Sequence, residues 1–536
     1  MNTTIREGAG NRARLRWALG ITVALLLQGV VACTDPTVAP KSSVSDANFF
    51  NDTSSYKAFL AKIYAGLALS GQQGPAGQPD IRGIDEGFSQ YLRLYWEHEE
   101  LPTDEAVIAW GDIGLPEMNT QTWTSSSRMV VAMYYRIFFQ VSMANEFLRQ
   151  TTDAAVATRG HISPGLKTAI AEYRAEARFL RALSYWHGID LFGRIPLVTE
   201  NDPLASVPKQ SSRADVYAYV VNELNAIKDS LPPAGPSAYG RATGPAAHML
   251  LAELYLNDSV YTLTPNWSGA LTEARNVIGS GLYSLDPNFR HVFMADNNTS
   301  PEIIFAIPQD GVRTQTYGGV TFLVHASVGG SMNAGDYGID GGWYGLRLKP
   351  QADSLFAAGD ARGAYFYRTG QTLAVADIGT FNDGIAAPKF TNKTSSGADG
   401  SNKGFVDTDF PVFRLGEAYL MYAEAVLRGG GGSRAQALTY VNALRERAYG
   451  NTSGDLADTT ALTLDFLLKE RGRELLWEAH RRTDLVRFGK FTGPGYLWAW
   501  KGGIMAGQTT DGHLDIYPLP ESELIANPNL KQNPGY

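Results

Sequence analysis

A short helical motif that occurs three times places the strongest constraint on the fold of this chain. The copies are Leu180-x-Ala182-x-x-Tyr185, Leu250-x-Ala252-x-x-Tyr255 and the degenerate Met421-x-Ala423-x-x-Val426. A small Ala beside a large apolar residue lets a neighbouring helix pack closely. Each copy is followed by a second amphipathic segment, at 215–231, at about 268–280 and at about 434–449. The pattern predicts stacked, tetratricopeptide-like helix pairs.

Apolar residues at helical spacing predict further helices at about 53–70, 126–150 and 165–192. Residues 281–410 differ, because they are rich in Gly, Asn, Asp, Ser and Thr and carry only short apolar runs such as 303–307. That composition predicts loops with short strands. The expected fold is mainly α, with a helical N-terminal part (47–280), a loop-rich insertion (281–410) and a helical C-terminal part with its tail (411–536).

A further long helix is predicted at about 462–489, and it is dense in charge. The charged residues are Glu470, Arg471, Arg473, Glu474, Glu478, Arg481, Arg482, Asp484 and Arg487. Opposite charges three or four positions apart on a helix can pair. We therefore expect a self-satisfying ion-pair network with a structural role.

The N-terminus predicts an exported lipoprotein. Four arginines precede an apolar run at 17–31, which is typical of a signal peptide over residues 1–32. The run ends in Val30-Val31-Ala32-Cys33, which resembles a bacterial lipobox, and Cys33 is the only cysteine. We expect Cys33 to be acylated and residues 33–46 to form a flexible tether.

The net charge and the hydropathy of the chain limit the kinds of molecule that it is expected to bind. Without residues 1–32 the chain has 42 basic and 53 acidic residues, a net charge of −11. Such a chain is not expected to bind nucleic acid. No later segment has the roughly 18 apolar residues that a membrane span requires, so 47–536 is expected to be a soluble domain held at the membrane by its anchor.

No pattern predicts an enzyme. The eight histidines are scattered, and HExxH and GxSxG are absent. Glu97 to Glu100 as metal ligands, and Asp104 with Asp112 as a glycosidase pair, are weaker interpretations than a solvated face and scattered carboxylates. Asp336 and Asp340 could bind Ca²⁺, but two carboxylates are too few to predict a site. The expectation is no catalysis, no metal and no cofactor.

Aromatic residues make up 11% of the chain, and many lie in non-helical stretches. A sugar ring packs its C–H face on an aromatic ring and leaves its hydroxyls for polar side chains. One candidate cluster contains Trp96 and Trp110 with Asp104, near Tyr95 and Trp123. The favoured cluster contains Tyr317, Tyr337, Trp343 and Tyr344, three of which lie in the glycine-rich stretch GDYGIDGGWYG.

Several segments resemble the SusD/RagB family. They are RAEARFLRALSYWHGIDLFGRIPLVTE (174–200), GPAAHMLLAELYL (244–256), DFPVFRLGEAYLMYAEAVL (409–427), YVNALRERAYG (440–450), LLKERGRELLWEAHRRTDLVRFGKF (467–491) and IYPLPESELIANPNLKQNPGY (516–536). The resemblance covers most of the chain from Phe49 onward. It implies a SusD-like fold of tetratricopeptide-like helix pairs crossed by a loop-rich insertion.

The resemblance also implies a function in nutrient uptake. Members are surface-facing outer-membrane lipoproteins that bind a glycan, or another nutrient polymer, and deliver it to a TonB-dependent transporter of the SusC kind. Only one acid follows the lipobox, in Cys33-Thr34-Asp35-Pro36, where surface-exposed relatives often carry more. The alternative function is a helical-repeat scaffold of the cell envelope that binds protein partners only.

Overall fold

The computed structural model describes residues 49–204 and 206–536. The predicted signal peptide (1–32), the tether (33–46) and the lipidation site Cys33 lie outside the described residues. The chain divides into two units, at residues 1–55 and 56–536. Of the first unit only residues 49–55 are described, and they form a turn that leads into the first helix.

Helices form most of the regular structure, as the sequence predicts. Their bounds are α1 Ser55–Ala68, α2 Tyr91–Glu100, α3 Leu115–Thr120, α4 Arg128–Gln150, α5 Asp153–Ala157, α6 Pro164–Phe192, α7 Arg213–Ile227, α8 Gly244–Leu256, α9 Asp258–Tyr261, α10 Trp267–Gly279, α11 Gly319–Ala326, α12 Pro350–Asp353, α13 Leu415–Leu427, α14 Arg434–Tyr449, α15 Leu464–Glu474, α16 Arg481–Arg487 and α17 Glu521–Ala526. Within residues 49–204 and 206–536, no helix combines the length and the apolar character needed to cross a membrane.

The predicted helix pairs are present and stack on one another. Helix α6 packs on α7, α8 on α10, and α13 on α14, while α4 covers α6 and α10 contacts α13. The small residue of each motif copy lies in these contacts, since Ala182, Ala252 and Ala423 are buried. Their small side chains permit the close approach of the paired helices. The mainly α, tetratricopeptide-like fold is confirmed.

Two short antiparallel sheets tie the insertion to the helices on either side. Strand β1 (Ala106–Ile108) pairs with β3 (Leu346–Leu348), with Ile108 opposite Leu346. Strand β2 (Ile303–Ile307) pairs with β4 (Phe410–Arg414). The β1–β3 pair matters for function, because it joins a segment after α2 to the glycine-rich stretch of the insertion.

The prediction of one long helix at 462–489 is wrong. The chain forms α15 and α16 with a kink between them, where Trp477 (φ 62°) and Ala479 (φ 63°) adopt the left-handed conformation. Two carboxylates hold the kink, because Glu105 accepts the Trp477 N–H (3.1 Å) and Glu100 accepts the Ala479 N–H (2.7 Å). These contacts satisfy backbone groups that a continuous helix would bond internally.

The charges of this segment form a network, but most of its pairs cross between elements. Arg414 of β4 contacts Glu302 and Glu474 at 2.7 Å and Glu478 at 2.6 Å. Some pairs within the segment do exist, such as Arg487 with Asp484. The expected ion-pair network with a structural role is therefore present, although most of its pairs join this segment to other elements and its residues are buried in the core.

Candidate functional site

The antiparallel pairing of β1 with β3 brings two predicted tryptophans together. Trp110 follows β1 and Trp343 precedes β3, and the pairing extends to them through the Ala109 N–H, which donates to the Gly345 carbonyl (2.9 Å). The Trp110 indole N–H donates to the Trp343 carbonyl (2.9 Å). Gly345 leaves room for this contact, because a Cβ there would lie 2.9 Å from the Trp110 ring. The strand pairing thus places two side chains that are 233 positions apart in the sequence next to each other.

Tyr317 extends this surface into a curved row of rings. Its ring centroid lies 6.2 Å from that of Trp343, which lies 6.3 Å from Trp110, and the successive planes are inclined by 58° and 45°. Phe405 supports Tyr317 at 5.2 Å. We call Tyr317, Trp343 and Trp110 the aromatic arc. Tyr317 is 43% exposed and both tryptophans are partly exposed, so part of each side chain of the arc is accessible to solvent.

A buried histidine fixes the central ring of the arc. His325 of α11 stacks on Trp343, with centroids 4.5 Å apart and planes inclined by 23°. Burial lowers the pKa of His325, although a hydrogen bond to the Gly341 carbonyl (2.7 Å) opposes the shift. A neutral imidazole therefore backs Trp343 at neutral pH.

The sequence singled out Tyr344 and Tyr337 with the arc, but the structure places them apart from it. Tyr344 is 53% exposed, and its ring lies against Phe381 at 5.6 Å. Tyr337 is partly buried and packs on the core. The Tyr337 carbonyl accepts the Asn392 N–H (3.0 Å). The favoured cluster is thus an arc with two residues beside it.

Two predicted ligand contacts do not hold in this structure. Trp96 is fully buried, and its indole N–H donates to the Trp477 carbonyl (3.0 Å). Asp104 is fully buried and accepts two hydrogen bonds from Arg481, at 2.7 Å each. Burial alone would raise the pKa of Asp104, but the Arg481 charge and hydrogen bonds hold it below its usual range. Both side chains belong to the core because they have partners there, which sequence spacing does not show.

Other residues considered beside them are also structural. Trp123 is buried and donates to the Tyr536 hydroxyl (2.9 Å), and Tyr95 stacks on His187. Glu97 to Glu100 are buried on α2 rather than solvated, so the solvated-face interpretation of that stretch is wrong. Asp112 is exposed while Asp104 is buried, so the two carboxylates do not share an open cleft.

Arg93 is a site residue that the sequence did not reveal. It is buried beneath the arc, with its guanidinium carbon 3.8 Å from the Phe88 ring centre, 4.1 Å from that of Phe322 and 5.5 Å from that of Trp110. Its Nε donates to Glu97 (2.9 Å), whereas Nη2 has no hydrogen-bond partner in the part of the chain that the structure describes. A buried cation with an unused donor is costly to leave unpaired. Arg93 lies in the first turn of α2, and an arginine is ordinarily solvated, so no sequence signal marked it.

The carboxylate paired with Arg93 also has an oxygen without a hydrogen-bond partner among the described residues. Glu97 is fully buried, and burial raises its pKa against the opposing charge of Arg93. Its Oε2 has no partner among residues 49–204 and 206–536. At the edge of the arc, Asp340 is exposed beside Gly404. Of these polar groups, Asp340 is the one exposed to solvent, and a carboxylate there can accept hydrogen bonds from hydroxyl groups.

The potential metal ligands lie elsewhere. Among the described residues, the one group of three that could hold an ion is Glu253, Glu417 and His480, all of them buried. Asp336 and Asp340 do not belong to it. Asp336 accepts a hydrogen bond from Asn333 (3.0 Å).

A groove of about 720 Å³ runs along α4, away from the arc residues. Its walls include Tyr135, Phe138 and Met143 on one side and Leu204 and Val207 on the other. Leu204 is 81% and Val207 54% exposed. The groove is mainly apolar, but its lining also includes the ion pair of Arg149 with Glu146 and the carboxylate of Asp202.

Comparison of the sequence with those of known proteins identifies relatives of this chain. Residues 342–536 match the model of the SusD family. The chain is 34% identical to the starch-binding protein SusD of Bacteroides thetaiotaomicron, over 96% of this chain and 97% of that protein. It is 26% identical to a SusD-like protein of Bacteroides ovatus, over 88% and 82% of the two chains.

Solved structures show the same architecture at lower identity. Surface glycan-binding protein A from Bacteroides thetaiotaomicron, in complex with laminarihexaose, superposes with a TM-score of 0.69 at 20% identity, over 89% of this chain and 98% of that chain. A SusD homolog from the same organism superposes with a TM-score of 0.71. The helix stack, the insertion that crosses it and the 34% identity over nearly the whole chain lead to one conclusion: this protein belongs to the SusD family.

Proposed function

We propose that the protein captures a glycan on the aromatic arc and performs no chemistry on it. The observation that carries this proposal is the arc itself, in which three partly exposed rings lie above a buried arginine with an unused donor. Sugar C–H faces would pack on Tyr317, Trp343 and Trp110. The exposed Asp340 carboxylate would bind hydroxyl groups at the edges of the sugar rings, while Arg93 supports the arc from below.

The inclination between successive rings favours a curved ligand. A flat, extended chain presents parallel faces, whereas the arc turns by 58° and then 45°. A helical α-glucan of the starch type meets that requirement, and the name of the relative at 34% identity, a starch-binding protein, supports it. The laminarihexaose complex of a structural relative makes a β-1,3-glucan the second ligand to test.

Family membership supports the rest of the role. In this proposal Cys33 carries the lipid that anchors the protein to the outer membrane, with its binding face toward the exterior. The bound glycan then passes to a TonB-dependent transporter of the SusC kind. Copurification of such a transporter from native membranes, and its loss in the Cys33→Ser variant, would test the anchoring and the partnership together.

Polysaccharide affinity electrophoresis tests ligand capture. The chain from residue 34 onward is run in native gels that contain amylopectin, laminarin or no polysaccharide. We expect retardation in amylopectin, and its loss when Trp343 and Trp110 are both changed to Ala. Migration that is identical in all gels would contradict glycan capture. A reducing-sugar assay on the same mixtures should show no release, because no catalytic group has been assigned to the arc.

The alternative is an envelope scaffold that binds protein only, and the groove along α4 is the observation that favours it. An exposed apolar wall such as that of Leu204 and Val207 is typical of protein interaction sites. Two variants distinguish these functions. Leu204→Asp should abolish binding of a protein partner and leave glycan binding unchanged. If glycan capture is the function, the tryptophan variants should abolish glycan binding and leave binding of a protein partner unchanged.

A further inference from the structure

The exposed residue Tyr344 has an energetically unfavourable backbone conformation. Its backbone has φ 56°, the left-handed conformation, which only glycine adopts readily. The side chain is 53% exposed, so burial does not compensate for the conformation. An exposed aromatic residue held in a strained conformation is a reason to look for a function.

The strained backbone is firmly fixed. Three consecutive N–H groups donate to the end of α11 and the turn after it: Trp343 to His325 (2.8 Å), Tyr344 to Val328 (3.0 Å) and Gly345 to Ala326 (2.8 Å). Carbonyls at a helix C-terminus lack partners within the helix. The stretch 343–345 therefore caps α11 and cannot relax without leaving those carbonyls unsatisfied.

A second loop supports the Tyr344 ring from behind. Phe381 is 6% exposed and meets the Tyr344 ring edge-on at 5.6 Å, with planes inclined by 67°. Buried Arg347 holds this loop, because its guanidinium donates to the carbonyls of Asp383 (3.0 Å), Ile378 (2.6 Å) and Thr380 (3.0 Å). Arg347 lies in β3, so the strand that places Trp343 also places Phe381.

Polar groups lie on the chain near this ring pair. Asn382 is exposed next to Phe381, and its amide oxygen lies 3.1 Å from where a Cβ at Gly330 would be. A Cβ at the preceding Gly329 would lie 2.8 Å from the Tyr344 ring, so the amide and the ring meet the same short turn. An exposed ring with an exposed amide nearby has the chemistry of a sugar subsite.

We infer that Tyr344, backed by Phe381 and bordered by Asn382, is a second sugar-binding platform beside the arc. This inference rests on the proposed function. Trp343 and Tyr344 are consecutive residues, so the second platform lies within the span of a glycan chain longer than the arc. The second platform makes affinity depend on chain length, so the protein selects polymers over the short oligosaccharides that degradation releases.

The test compares short and long ligands on variants of the chain from residue 34 onward. Maltotriose and maltoheptaose, and in parallel laminaritriose and laminariheptaose, are titrated by calorimetry. Tyr344→Gly removes the ring and also relieves the left-handed strain, so its melting temperature should stay within about 2 °C of the wild type. Tyr344→Phe keeps the ring and is the matched control.

We expect Tyr344→Gly to weaken heptasaccharide binding by about fivefold to tenfold and trisaccharide binding by less than about twofold. Tyr344→Phe should retain most of the heptasaccharide affinity. Phe381→Ala should reproduce the length-dependent loss. Unchanged heptasaccharide binding in Tyr344→Gly, or an equal loss for both lengths, would overturn the second platform. If either result is found while the Trp110→Ala, Trp343→Ala double variant loses all binding, the proposal that the arc binds glycan still stands. A wild type that binds no member of either series overturns both.

Discussion

The C-terminal core and the aromatic arc reverse the usual distribution of residue types. In the core, charged side chains are buried: Arg414 is 1% exposed and contacts three carboxylates. At the arc and beside it, large aromatic side chains are exposed, with Tyr317 at 43% and Tyr344 at 53%. Buried charges and exposed aromatic groups are each unusual in a soluble protein.

The two regions differ in whether their side chains have partners inside the protein. Glu474 contacts Arg414, Arg362 and Arg447, and these charges hold its pKa well below the usual range although burial alone would raise it. Glu474 is therefore fully paired within the core. The exposed parts of the arc rings have no such partner among the described residues, so a ligand completes them. Disrupting the core should cost stability and disrupting the arc should cost binding.

The largest effect is expected from Arg414→Gln. Removing this guanidinium leaves three buried carboxylates without their shared partner, and breaking a buried pair costs about 3–5 kcal/mol. Urea unfolding measures the loss. Arg313→Gln is the matched control, because Arg313 is 85% exposed in its pair with Asp310 and should change the free energy of unfolding by less than about 1 kcal/mol. Equal effects of the two variants would contradict a self-contained core.

Changing Trp343 to Ala should give the next largest effect, on binding rather than on folding. Loss of a central aromatic contact costs about 2 kcal/mol, or roughly 30-fold in the dissociation constant. Calorimetry with the polysaccharide that retards the wild type measures it. Tyr440→Ala is the control, since Tyr440 stacks on Tyr419 at 4.4 Å in the helix stack and should leave binding unchanged. A comparable loss in both variants would mean that the arc has no special role.

Arg93→Lys should weaken binding by about tenfold. Lysine keeps the positive charge but lacks the planar guanidinium that packs on Phe88 and Phe322 beneath Trp110, so the arc loses part of its support. The dissociation constant and a far-ultraviolet circular dichroism spectrum should be measured on the same sample, so that misfolding is detected. If Arg93→Lys is folded and binds with wild-type affinity, Arg93 does not position the arc.

The smallest expected effect is a pH dependence of stability from the acids that hold the kink. Burial raises the pKa of Glu105 to about 7, despite the opposing charge of Arg481. A raised carboxyl pKa means that the folded state binds more protons, so this group lowers stability as the pH rises from about 4.5 to 7. The stability of Glu105→Gln relative to the wild type should therefore increase by about 1 kcal/mol between pH 5 and pH 6. A difference that does not vary with pH would contradict this assignment.

Helix positions were predictable from the sequence because they depend on local spacing. The periodicity at 126–150 and 165–192 predicted α4 and α6 to within two residues, and the repeated Ala marked the paired helices. The break at Trp477 and Ala479 was not predictable. The groups that hold it, Glu100 and Glu105, come from a segment about 370 residues earlier in the chain.

The candidate site likewise has parts that were predictable from the sequence and parts that were not. Composition and glycine content indicated Trp343, Tyr344 and Tyr317 as surface residues, and they are exposed or partly exposed. The same reasoning placed Trp96 and Asp104 with Trp110, although both are buried. On α2 the burial of each side chain depends on what packs over it, and Trp477 and Arg481 cover Trp96 and Asp104.

The sequence by itself determined that the chain is mainly α, that its helices pair, and which loop segment carries exposed aromatic groups. Periodicity and glycine content act over a few residues and can be read locally. Only the tertiary structure decided that Trp110 meets Trp343, that Arg93 lies beneath them and that the charged C-terminal segment is interior. Each of these depends on contacts between distant segments, and burial is a property of the folded chain rather than of any residue type.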